Sequence, residues 1–246
     1  APYVEVNNIP GYQPAFDGDR PGIGNSDARP DEITFVIYMD YKNCTNAIHV
    51  SQLSHPGGSL PLGVEIHQLS FGFNSPGLTN MHFMKWKVIN KSGLEWDSTY
   101  VSVFDDPDVG NAFDDKAGCD SLQNVGFCYN ADNLDPDYGA GPPAFGYRYL
   151  QSPIIYTGNP NDTVKLPYDT LIGYKAQGLS SFVVYRNGGD ACTGDPDLFT
   201  NGYNWMRGTN CCGQQLFNWV NSPPTPTKYM YSGDACKYIG WIDSAS

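Results

Sequence analysis

Leu62-Gly-Val-Glu-Ile-His-Gln-Leu-Ser-Phe-Gly-Phe73 alternates with a period of two. In an extended chain Val64, Ile66 and Gln68 share one face, while Glu65, His67 and Leu69 share the other. Asn74-Ser-Pro-Gly77 reads as a turn, and Met81 to Asn90 repeats the alternation. There Met81, Phe83, Lys85, Lys87 and Ile89 lie on one face, with His82, Met84, Trp86, Val88 and Asn90 opposite. Upstream, Ile33 to Met39 is β-branched and aromatic, which suits a strand. Downstream, Asn90-Lys-Ser-Gly93 predicts a turn, and Asp97 to Phe104 is expected to pair back on Met81–Asn90 as a hairpin. Phe145 to Ile155 and Ser180 to Arg186 read as further strands. Tyr203–Arg207 and Gln214–Val220 read as short helices. The fold class expected is mainly β, an antiparallel β-sandwich with long loops and a cysteine-rich C-terminal part. Residues 1–31 read as an irregular N-terminal segment and 32–157 as the sandwich core. Residues 158–246 read as a C-terminal part of the same domain, after a soft boundary near Gly158-Asn-Pro160.

Composition agrees. Of 246 residues only 16% are charged and 14% are aromatic, and the chain holds 27 Gly and 19 Pro. This is a turn-rich β composition. A net charge of −12 opposes nucleic acid and anionic membranes as partners, since both select for Lys and Arg. No apolar run reaches the ~20 residues of a helical membrane span. Ala1 in place of an initiator Met is expected to be a processed N-terminus or the start of an excised fragment.

Much of the negative charge sits in one place. Asp105 to Asp137 carries nine aspartates and a single lysine, Lys116. The stretch reads as a long acidic loop following a strand, and it is expected to need a cation to condense it. Ca²⁺ fits best, because it takes six to eight oxygens in flexible geometry. The candidate ligands are Asp105, Asp106, Asp108, Asp114, Asp115 and Asp120, with a second cluster at Asn130, Asp132, Asn133, Asp135 and Asp137. Neither cluster has EF-hand spacing, so the ion's expected role is structural. His49, His55, His67 and His82 have no zinc-site spacing.

Cys44, Cys119, Cys128, Cys192, Cys211, Cys212 and Cys236 lack any C-x-x-C pair. They favour disulfides and an oxidising compartment. Cys119–Cys128 is expected to close a small loop, and Cys192, Cys211, Cys212 and Cys236 to form two bridges. Cys44 is then left over, free or paired with another chain.

A set of phrases carries a resemblance. In order these are Asn90-Lys-Ser-Gly93, Leu94 to Ser102, Asp106-Pro-Asp-Val-Gly110, Asp114-Asp115, Gly118-Cys-Asp120 and Tyr129-Asn130. Tyr138-Gly-Ala-Gly-Pro-Pro-Ala144, Tyr203-Asn-Trp-Met-Arg-Gly208, Ser232-Gly-Asp234 and Gly240-Trp-Ile-Asp243 follow. Together they resemble large, uncharacterised secreted surface proteins of Bacteroidetes and Ignavibacteria-like bacteria that end in a type IX secretion sorting domain. The likeness spans most of the chain and is weakest before residue 30 and around 186–200. It implies export to the cell surface and carries no activity. This chain departs from the pattern in its extra C-terminal cysteines and in lacking a sorting domain, so either the tail is cleaved or another export route applies. Ser98, Ser121, Thr163, Thr170 and Ser244 sit in three-residue phrases similar to the O-glycosylation motif of such bacteria.

No catalytic constellation is legible. Glu65 is the one acid singled out by its place on a strand face, and no G-x-S-x-G occurs. The expected function is an extracellular structural protein, a cell-surface or filament-forming subunit contacting copies of itself or other surface proteins. The irregular N-terminal segment is expected to reach a neighbour by adding a strand to an open sheet edge. Seventeen Tyr and five Trp exceed core needs and suggest interfaces between subunits or stacking on sugar rings, hence a glycan-binding module as a second reading; a hydrolase, resting on a carboxylate pair among the 26 acids, is a third.

Overall fold

The computed structural model describes residues 30–40, 59–165 and 170–243, together with the backbone of two short strands near the N-terminus. Those strands, β1 (Glu5–Val6) and β2 (Ile9–Pro10), pair antiparallel. The chain forms two compact units, one of residues 1–97 with 165–171 and one of 98–164 with 172–246. The fold is mainly β and built from small antiparallel sheets.

The first unit is organised by β3 (Glu32–Met39), β4 (Val64–Gly72) and β5 (His82–Asn90), in the order β3-β4-β5. All three expected strands form, and β4 runs antiparallel to both neighbours. The period of two in β4 puts Phe71 opposite Ile33 and Phe83 on one face. Phe71 stacks on Phe83 at 5.3 Å, and Phe73 meets both edge-on. On the other face the Gln68 side-chain carbonyl accepts from Trp86 Nε1 (3.1 Å) and from the Tyr38 hydroxyl (3.3 Å). Two aspartates fix the ends of β3 against β4. The Asp40 carboxylate accepts the N–H groups of Leu62 (2.6 Å) and Val64 (2.7 Å), and Asp31 accepts that of Asn74 (2.6 Å).

The expected hairpin partner for β5 does not form. Residues 97–104 are irregular, because Ser98 takes a left-handed conformation (φ 51°) that ends any extended run, and the Val103 N–H is given to the Tyr149 phenol. The hairpin is instead β4–β5. In the second unit the acidic stretch is not one loop either, for it contains β6 (Asp115–Asp120) and β7 (Val125–Asn130). Their turn is tied by Asp120, whose Oδ1 accepts from the N–H groups of Leu122 and Gln123. Short strands β8 (Leu134–Asp135) and β9 (Gly139–Ala140) pair next, and β10 (Ala144–Arg148) adds to β7 to give the order β10-β7-β6.

Strand β11 (Ile154–Tyr156) is separate from β10, so the expected strand 145–155 is broken ahead of Pro153. Strands β12 (Thr163–Lys165) and β13 (Thr170–Ile172) fall where the chain passes between units, and β14 (Tyr174–Ala176) pairs with β11. The stretch 180–186 makes a single parallel bridge, Phe182 to Tyr229, rather than a strand. Its Val184 N–H turns to the Met230 sulfur. The helix expected at 203–207 is α1 (Phe199–Met206). The helix expected at 214–220 is instead β15 (Leu216–Asn218), paired with β16 (Thr225–Thr227) from the proline-rich loop. Trp205 of α1 is 4% exposed and stacks on Tyr185, which stacks in turn on Phe104. With Val109, Cys119, Cys128, Val164 and Cys211 it forms the buried apolar set of this unit.

Candidate functional site

Several aspartates of the acidic stretch are engaged in local hydrogen bonds. Asp120 holds the β6–β7 turn, Asp132 accepts the Leu134 N–H (2.7 Å), and Asp105 accepts from the Tyr147 hydroxyl (3.4 Å). Asp106, Asp108 and Asp137 are exposed. Asp114, Asp115, Asn130 and Asp135 are brought together. Asp135 is 1% exposed. Its Oδ2 accepts from the Asn111 N–H (2.9 Å) and Asn130 Nδ2 (3.3 Å), and its Oδ1 from the N–H groups of Asp137 and Tyr138. These backbone donors, Asn111 first, hold its carboxyl below the usual range.

Asp115 goes the other way. Burial pushes its carboxyl up, the Val109 N–H bond to Oδ2 (2.8 Å) opposes this, and the charges of Asp114, Asp108 and Asp135 push it further up. Oδ1 of Asp114 and Oδ1 of Asp115 are both buried without a hydrogen-bond partner. Among the described residues no three His, Cys, Asp or Glu side chains converge as a metal-binding group.

The cysteines differ from expectation. One bridge forms, Cys192–Cys212. Cys119 and Cys128, expected to be joined, are buried thiols. The β6–β7 register explains why. Cys119 faces Gly126 and Cys128 faces Ala117, so the two are diagonal neighbours, roughly 7–8 Å apart for such a pair and beyond a disulfide's reach. The Cys119 thiol donates to the Met230 carbonyl (3.3 Å). Burial drives Cys119 up to about 12, with Asp120 adding, and drives Cys128 up to about 11, with Asp115 adding. Cys211 is a buried thiol and Cys236 an exposed one, so the second expected C-terminal bridge is not made. Cys44 lies outside the described residues, as do His49, His55 and Ser244. Of the other glycosylation candidates, Ser98, Thr163 and Thr170 are exposed and Ser121 is half-buried in the β6–β7 turn. Glu65 pairs with His67 Nε2 (2.9 Å) and Lys91 Nζ (3.6 Å), an ion-pair role on a sheet face.

A feature the sequence reading missed lies in the second unit. A groove of about 410 Å³ is lined by Arg186, Trp219, Tyr231, Trp241 and Asp243 among others. Its residues come from four separate stretches. Trp219 follows β15 and is 72% exposed, with its ring 6.0 Å from Phe217. Trp241 is held by a narrow turn in which the Gly233 N–H donates to the Trp241 carbonyl (2.7 Å) and any side chain at Gly233 would strike the backbone of Ile239 and Trp241. Its indole meets Tyr231 edge-on at 5.5 Å. Tyr231 sits at φ 50°, a left-handed conformation unusual for a bulky residue. Arg186 lines the groove with it. Burial raises the phenol's pKa, the Asp243 charge raises it further, and Arg186 opposes them. The signal in the sequence was only the phrase Gly240-Trp-Ile-Asp243, which carries no partner information by itself.

No family model, curated protein or solved structure matches the chain.

Proposed function

We propose that the protein is an extracellular structural subunit, a cell-surface or filament-forming module whose copies join through the outer edge of β3. The observation that carries this reading is an asymmetry between the two edges of the β3-β4-β5 sheet. β5 bears Lys85 and Lys87, exposed lysines of the kind that keep an edge strand from pairing with strangers. β3, Glu32-Ile-Thr-Phe-Val-Ile-Tyr-Met39, has no charge after its first residue, and no described strand pairs with its other edge. Of this unit's apolar side chains, only Leu69 is buried among the described residues. An eight-residue edge uncharged beyond Glu32, with a half-covered face, is the surface that β-augmentation uses.

In this reading the partner is a second copy, offering its segment 1–31 as the added strand. The contact is head-to-tail and does not close, so it propagates as a filament. The β-sandwich expected from the sequence is completed by assembly. Ca²⁺ is the proposed structural ion of the acidic hairpin, supported by the paired, unpartnered oxygens of Asp114 and Asp115. Secretion and O-glycosylation belong to the same reading, supported by the Cys192–Cys212 bridge and the exposed Ser98, Thr163 and Thr170.

Electron microscopy and sedimentation of the native protein with Ca²⁺ test it. Ordered polymers are expected, and the exposed pair Thr34→Lys and Tyr38→Lys should abolish them while leaving the monomer folded. A protein that stays monomeric at high concentration sinks the reading.

A further inference from the structure

We propose that the Trp219–Trp241 groove is a binding site for a neutral saccharide, a function separate from the assembly reading and independent of it. Three observations carry the argument. The first is the lining. Two indoles and a phenol line it, with Trp219 72% exposed, and aromatic linings of this kind suit a ligand with a flat apolar side and polar rims. The C–H faces of a pyranose ring have that character. The second is the polar pair at the same groove, Arg186 and Asp243. A guanidinium donates only and a carboxylate accepts only. Lining one groove, they offer a donor and an acceptor to hydroxyls, each of which both donates and accepts. Asp243 Oδ2 is anchored by the Ala117 N–H (3.1 Å), so the acceptor is positioned before a ligand arrives. A wholly apolar ligand would leave this pair unused.

The third observation is preorganisation. The Trp241 backbone is fixed by the Gly233 N–H that its carbonyl accepts, and Tyr231 is held by its left-handed backbone and its edge-on contact with the Trp241 indole. A strained residue persists only where its surroundings over-determine it, and such residues cluster at ligand sites. Trp219 stays largely in solvent although its ring offers one of the largest apolar surfaces in the chain. Charge then selects within the saccharides. Arg186 and Asp243 offset each other at the groove, so the protein's net −12 decides: a uronate or sulfated chain is repelled, and a neutral hexose or N-acetylhexosamine chain is favoured.

The test is tryptophan fluorescence titration of the intact protein with cellohexaose, mannohexaose, xylohexaose and chitohexaose, and with polygalacturonate as the anionic comparison. At least one neutral chain is expected to bind saturably. Trp219→Ala should weaken that binding at least tenfold with no change in melting temperature, because the residue is already exposed. Asp243→Asn should weaken it as well. Trp86→Ala, in the other unit, should change it less than twofold. The proposal is overturned by the absence of binding at millimolar sugar, by binding that Trp219→Ala leaves intact, or by a preference for polygalacturonate. It is also overturned if Trp219→Ala instead removes a concentration-dependent shift in sedimentation, since the groove would then be a contact between copies.

Discussion

Gly110 passes directly over the carboxylate of Asp135, and the Cβ of any other residue at position 110 would fall on that carboxylate. The backbone there is also left-handed, at φ +84°. Gly110→Ala therefore meets two penalties, and a second glycine separates them. Gly139 is left-handed too (φ +74°) but opens on empty space. Gly139→Ala is expected to cost ~1–2 kcal/mol, and Gly110→Ala ~3 kcal/mol or more, measured by denaturant unfolding. Equal losses would show that the carboxylate moves aside freely.

Asp115 gives a pH signature. Its folded-state pKa is raised, so the folded protein holds this proton more tightly than the unfolded chain does. That contribution is complete below the ordinary carboxylate value of about 3.9 and is lost as pH rises through the folded value. With chelator present, Asp115→Asn should therefore stabilise the protein at pH 7 and have little effect near pH 3. Asp135 works in the opposite sense, since its pKa is lowered and its contribution vanishes as pH falls. If Ca²⁺ occupies the hairpin, added calcium should raise the melting temperature of the parent and not of Asp115→Asn. A calcium-independent melting temperature in both proteins removes the ion from the proposed function.

The thiols should differ sharply in reactivity. Cys119, Cys128 and Cys211 are buried and their pKa values are raised, whereas Cys236 is exposed. In a Cys44→Ser background at pH 8, a thiol reagent should modify Cys236 quickly and the other three only on unfolding. Mass spectrometry identifies the sites. Rapid labelling of Cys119 would mean that the contact between β6 and the Met230–Tyr231 segment opens readily.

Trp205 holds the helix against Tyr185, yet its indole N–H is buried with no partner. Trp205→Ala should cost ~3–5 kcal/mol. Trp205→Phe loses ring volume but also removes an unmet donor that carries a penalty of ~1–3 kcal/mol, so its net effect should stay within about 1 kcal/mol. A Phe variant as damaging as the Ala variant would show that the N–H is satisfied.

Strands with strict alternation were legible from sequence. β3, β4 and β5 form where Ile33–Met39, Leu62–Phe73 and Met81–Asn90 place them. The misreadings have local causes. Val101 and Val103 look like strand residues, but a single left-handed residue, Ser98, redirects the chain before them. The acidic stretch looked like a loop because nine aspartates were counted as repelling charges. In the fold most of those with a named partner accept backbone N–H groups at turns, which lets β6 and β7 form between them. The Cys119–Cys128 pairing failed on register, which sequence spacing does not reveal. The groove was out of reach for a similar reason. Arg186, Trp219, Tyr231 and Asp243 are distant in sequence, and only the folded second unit collects them.

Asp31 and Asp40 stand at opposite ends of β3, and each holds a backbone N–H beyond the corresponding end of β4 or within its first residues. The β3–β4 ladder is thereby closed by a carboxylate clasp at each end. Each clasp closes one end of the pair, so losing Asp31 should fray the sheet from one end only and losing Asp40 from the other, like a zip opened from either side.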